Sequence, residues 1–115
     1  MTGSAPTRTN LEELQTKLLA EARESSSRRA AETVYGGRDA VLRQTAMALL
    51  EEAELPEHDS PPEATLQVLG GHLRLTGQGR SWELAVGDLI PIPPERHSVL
   101  AREDSVFLLT VRRSV

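Results

Sequence analysis

At 115 residues the chain has the length of one domain, enough to remove roughly two-thirds of its unfolded surface from water and to fold around a core without covalent staples. It contains no cysteine, which excludes a disulfide framework, a thiolate metal site and a cysteine nucleophile, and which fits a reducing, cytoplasmic setting. A formal net charge of −4 argues against a nucleic-acid partner, which would call for a basic face, and no apolar run approaches the roughly 20 residues of a membrane span.

The segment Met1 to Arg8 is polar and lacks the apolar middle of a signal peptide, so an unprocessed cytoplasmic protein without membrane contact is expected. Residues 1–9 read as a loose tail. Asn10 with Glu13 after it has the form of an N-cap, the Asn oxygen taking a free amide and the Glu reaching back. Leu11, Leu14, Leu18 and Ala22 then recur at helical spacing, which predicts an amphipathic helix to about Glu24. Ser25-Ser-Ser27 ends it, because hydroxyl side chains compete for the backbone. Arg23, Arg28 and Arg29 sit amid Glu21 and Glu24 and read as a solvated face.

Two readings compete for residues 30–54. Ala30 to Tyr35, Gly36-Gly37 and Ala40 to Leu50 have the form of strand, turn and strand. Leu42, Ala46, Leu49 and Ala53 nevertheless recur at helical spacing in a segment of strong helix formers. Val41, Arg43, Thr45, Met47 and Leu49 make one alternating file and Leu42, Gln44, Ala46, Ala48 and Leu50 the other, and neither is cleanly polar.

Beyond Glu63 the alternation is clear. Ala64, Leu66 and Val68 share one face and Glu63, Thr65 and Gln67 the other, which predicts a half-buried strand with Glu63 outward. Gly70-Gly71 and Gly77-Gln-Gly79 turn the chain around Leu73 and Leu75, and Trp82 and Leu84 continue the meander. Prolines at 91, 93 and 94 break the next segment, and Val106 to Val111 closes as a strand apolar on both faces, either central in a sandwich or covered by a second subunit. Short strands with Gly and Pro turns point to an antiparallel sandwich or barrel.

Two stretches, Glu-His58-Asp-Ser60 leading to Val68-Leu69-Gly70-Gly71, and Gly87-Asp88-Leu-Ile-Pro-Ile-Pro93-Pro94-Glu-Arg-His97, resemble the two motifs of the cupin superfamily. Aligned on Gly71, the first motif puts Glu52 at its opening Gly, His58 and Ser60 at its two histidines, and Ala64 at its glutamate. In the second, Gly87 and Pro93 match and His97 stands one residue early. The resemblance implies a mainly β fold, a double-stranded β-helix or jelly-roll barrel at 30–115, preceded by the tail and single α-helix of 1–29. It also favours strands at 31–35 and 40–50.

Family metal sites use three histidines and a carboxylate, so two readings of the resemblance stay open: a degenerate centre in which His58 and His97 hold a divalent transition metal (Zn, Ni, Fe or Mn), or no cofactor, with both histidines as polar lining residues bonded to backbone or water. Shifting the register to recruit Glu63 is opposed by the outward file on which Glu63 lies. His72 falls on the outer face with Arg74, Trp82 fills the core or lines the cavity, and Asp88 bonds turn amides. Gly77-x-Gly79 precedes no helix, which excludes a phosphate loop. The expected function is a small single-domain cupin, non-catalytic or ligand-binding, with an incomplete metal site. The alternative is a metal-dependent enzyme of dioxygenase or isomerase type acting on a small organic substrate. A more remote reading makes 10–54 helical and the chain a regulator. A homodimer is expected from the two-faced strand and the amphipathic helix.

Overall fold

The computed structural model describes residues 6–58 and 63–113, with the backbone alone at 57 and 58. Among the described residues one helix, α1 (Leu11–Glu24), precedes nine strands: β1 (Arg29–Tyr35), β2 (Leu42–Leu49), β3 (Glu54–His58), β4 (Glu63–Gly70), β5 (His72–Gly77), β6 (Arg80–Ala85), β7 (Leu89–Pro91), β8 (His97–Ala101) and β9 (Ser105–Arg112). The helix starts where its cap predicts, Asn10 Oδ1 accepting from the Glu13 amide at 2.9 Å. Among the described residues no helix is long and apolar enough to cross a membrane.

The strands form two antiparallel sheets, ordered β1-β2-β9-β4-β7 and β3-β8-β5-β6. Both segments preferred as strands lie in this first sheet, 31–35 within β1 and 40–50 as the shorter β2, 42–49. The helical reading of 10–54 fails beyond Glu24 because β2 is hydrogen-bonded on both sides, to β1 and to β9, and this pairing outweighs the helix propensity of its alanines.

Two cores follow from one alternation. Leu49, Leu66, Val68, Leu73, Leu75, Leu84, Val99 and Phe107 meet between the sheets. On the outer side of the larger sheet, Ala46, Ala48 and Val106 pack against Leu14, Leu18 and Ala22 of α1. The central strand β9 thus contributes Phe107 inward and Val106 outward; it is central, as the first of the two alternatives had it, and α1 covers its outer face.

Three positions of the cupin-like motifs adopt left-handed backbone: Glu52 (φ 71°), Gly71 (φ 85°) and Gly87 (φ 91°). Gly71 faces the buried Ser105, whose hydroxyl accepts from the His72 amide at 2.9 Å and donates to the Glu103 carbonyl at 2.7 Å. A methyl group on Gly71 would run into Ser105 Oγ and the Asp104 carbonyl.

The outer face of the smaller sheet carries charge. Glu83 accepts from Arg102 Nη2 at 3.1 Å, His72 Nε2 lies 2.8 Å away, and Arg74 Nε stands at 3.5 Å. The hydrogen bond from Arg102, and then the one to His72, hold the Glu83 carboxyl below its ordinary value.

Two outcomes follow. Gly71→Ala is expected to cost on the order of 3 kcal/mol, through left-handed strain plus a clash with buried atoms. Gly79→Ala (φ 75°) has nothing within 4 Å and should cost only about 1 kcal/mol; urea denaturation of the two variants compares them, and equal costs would refute the steric role of Gly71. Because the folded Glu83 value is depressed, its contribution is present above about pH 4.3 and is lost as pH falls through the lower folded value. Glu83→Gln should therefore flatten the acid limb of a stability-versus-pH curve, with the midpoint moving by roughly a few tenths of a pH unit because the group is solvent-screened.

Candidate functional site

The ends of the strands define two mouths. At one of them β2 and β4 begin and β9 ends, β7 runs out toward Ile92, and β3 ends where β8 begins. This is the end to which the motif histidines belong.

Registers β2–β9 and β4–β9 stack three rows on the barrel-facing side of the larger sheet. Met47, Phe107 and Val68 lie abreast, then Thr45, Leu109 and Leu66, then Arg43, Val111 and Ala64. The first two rows contribute to the apolar core. The third stands at the mouth, and the Ile92 amide extends it by donating to the Ala64 carbonyl at 2.9 Å.

On the opposite sheet, His97, Val99 and Ala101 form the buried file of β8. His97 is 4% exposed, and its Nδ1 lies 3.2 Å from the Glu95 carbonyl, which makes Nδ1 the protonated nitrogen. Gly77 is its cross-strand neighbour on β5, and a Cβ there would stand 3.5 Å from the His97 Cβ. His97 thus occupies an inward position although it comes one residue early in the motif. Ser98, at the motif's own spacing, falls on the alternate, half-buried file.

The other predicted positions separate. The backbone of His58 pairs with that of His97 across β3 and β8, past a register shift. Ser60 lies outside the described residues. Ala64 faces the barrel, so the position matched to the family's glutamate carries a methyl group. Glu63 points outward and binds Arg112 Nε at 2.8 Å, as its file predicts. His72 is on the outer face, against Glu83. Asp88 bonds a turn amide, its Oδ2 accepting from the Ala85 amide at 2.8 Å.

A cleft of about 440 Å³ opens on this side between β6 and the proline-rich β7–β8 connection, bounded by Trp82, Ile90, Ile92, Pro93, Arg80 and Glu95. Trp82 both packs on the core and lines this cleft, and the Arg80 guanidinium stands 5.6 Å from its ring centroid. A second, mostly apolar trough of about 320 Å³ crosses the outer side of the larger sheet beyond α1, along Leu42, Thr65, Pro91 and Thr110.

Among the described residues no three His, Asp or Glu groups gather, and the inward row that would need a carboxylate ends in Ala64. The residue not anticipated is Arg43. It sits in the inward row, and the signal was its membership of the Val41–Leu49 alternating file, whose direction only the β9 register reveals.

No protein-family model matches the chain, and no curated protein does. Solved structures do. A conserved protein of unknown function from Streptococcus pyogenes superposes with a TM-score of 0.68 at 25% identity, over 79% of each chain. A cupin superfamily protein from Desulfitobacterium hafniense gives 0.68 at 10% identity, over 75% of this chain and 78% of that one. An RmlC-like cupin from Desulfovibrio desulfuricans gives 0.63 at 24% identity, over 73% and 81%. With two facing antiparallel sheets, left-handed turns at three motif positions and these neighbours, the chain has the fold of the cupin superfamily.

Proposed function

We propose that this small cupin holds a small organic molecule at the barrel mouth that carries His97 and has no catalytic metal centre. The observation that carries the reading is the cleft beside Trp82. Its volume of about 440 Å³ lies in the range of small-molecule sites, and it combines apolar walls (Ile90, Ile92, Trp82) with a few polar groups at the rim (Arg80, Glu95). Deeper rows of the barrel are filled by Leu66, Val68 and Phe107, so a ligand would occupy the mouth.

A second reading has one observation in its favour, the backbone pairing of His58 with His97. Residues opposite one another on antiparallel strands stand about 5 Å apart, close enough for two imidazoles to share an ion. A centre of that kind would take Zn, Ni, Fe or Mn, complete its coordination with water or substrate, and serve a dioxygenase- or isomerase-type enzyme. A homodimer is also proposed, now on the exposed Tyr35, Val41 and Leu42.

Metal analysis separates the readings. Protein purified without a polyhistidine tag and offered Zn, Ni, Fe or Mn is expected to retain no stoichiometric metal after dialysis. Near-stoichiometric metal that is lost in His97→Ala and in His58→Ala would overturn the non-metal reading. Light scattering at micromolar concentration should give twice 12.6 kDa for a homodimer, and 12.6 kDa would reject it.

A further inference from the structure

We infer that the mouth is selective for an anion, and that Arg43 binds the carboxylate of a small ligand whose apolar body lies in the Trp82 cleft. The inference rests on the ligand-binding reading above and names the chemistry of the ligand.

Arg43 lies opposite Val111 in the same file as Thr45 and Met47, whose partners Leu109 and Phe107 belong to the interior. Its guanidinium stem is therefore on the barrel side of β2. Its Nε is buried without a hydrogen-bond partner, and it forms no ion pair among the described residues. Arg43 as a whole is half-buried, and an arginine cannot discharge itself by losing a proton, so its guanidinium keeps its charge and is free to take an anionic partner at the mouth. Two carboxylates of neighbouring strands are engaged elsewhere: Glu63 binds Arg112 on the outer face, and Glu32 binds Lys17 of α1.

The geometry of the row fits the assignment. Arg43, Val111, Ala64 and Ile92 follow one another across β2, β9, β4 and the end of β7. Three strand spacings amount to about 14 Å along the sheet, and the concave face shortens the direct path. An extended arginine side chain covers about half of that span. Ala64 is the smallest side chain of the row, and it separates Val111 from Ile92 with only a methyl group. Ile92 already borders the cleft with Trp82. A ligand with a carboxylate and a short aliphatic or aromatic body completes the row, its head on the guanidinium and its tail against Ile92, Ile90 and Trp82. Planar, bidentate recognition of a carboxylate is the task for which arginine geometry is suited.

Trp82 is the only tryptophan, so its fluorescence reports on the cleft directly. The intact chain is titrated with hexanoate, with the neutral isostere hexanamide, and with hexylammonium. A saturable change with hexanoate is expected, weakened at least about tenfold for hexanamide and for hexanoate with Arg43→Met, and absent for hexylammonium. Arg43→Met should leave the thermal midpoint unchanged or raise it, since it removes an unpaired charge. Equal responses to hexanoate and hexanamide would overturn the role of Arg43 while leaving a ligand site in place. No response to any of the three would overturn the ligand-binding reading as well. The comparison of hexanoate with hexanamide is made on the unsubstituted protein, so it decides the question even if the Arg43 variant does not fold.

Discussion

The position of β9 constrains most of the molecule. It is the central strand of the larger sheet, bonded to β2 on one side and β4 on the other, and it is apolar on both faces. A strand of that kind must be covered twice. Phe107 and Leu109 are covered by the opposite sheet, whereas Val106 and Leu108 lie beneath the helix. The helix is therefore a structural layer of the fold, and Leu18 and Ala22 are as fully buried as the residues of the barrel itself. The same registers that divide β9 between two cores also set the order of side chains leading out to the mouth, so packing and site geometry have a common origin.

Much of this was legible in the residues. The cap at Asn10, the alternation from Glu63 to Val68 and the glycine turns needed only local rules, and each appears in the structure. The β2 segment was not decidable in that way. Its alanines and leucines satisfy a helix and a strand equally, and only bonds to β1 and β9, distant in sequence, select the strand. Arg43 was invisible for the same reason, because both files of β2 mix polar with apolar residues and the inward one is identified by its partner strand. His97 stands one position early in its motif, yet β8 places it inward with Val99 and Ala101. The two-faced apolar strand was read correctly, but one of the two covers offered for it, a second subunit, is not what covers it here.

The mouth illustrates how a scaffold keeps its architecture while its chemistry changes. Glu52 adopts the left-handed turn that a glycine would take, at a local cost of about 1 kcal/mol, which shows how strongly the surrounding pairing holds that turn. Ala64 keeps its inward place without a ligating group, and Arg43 stands in the same row two strands away. Register and polarity are thus separable along one row of side chains: the strand pairing sets which residues face inward, and it leaves their chemistry free.

The docking of α1 also bears on how the chain reaches its native state. The seat of the helix is assembled from β1, β2 and β9, and β9 follows every other described strand in sequence. A 14-residue helix is marginal in water without such a seat. The larger sheet cannot be completed before β9 threads between β2 and β4, and until then Ala46, Ala48 and the apolar stripe of the helix have no common partner. Folding therefore depends on contacts between opposite ends of the chain, a topology that slows the search and makes the helix, the sheet and the mouth cooperative with one another.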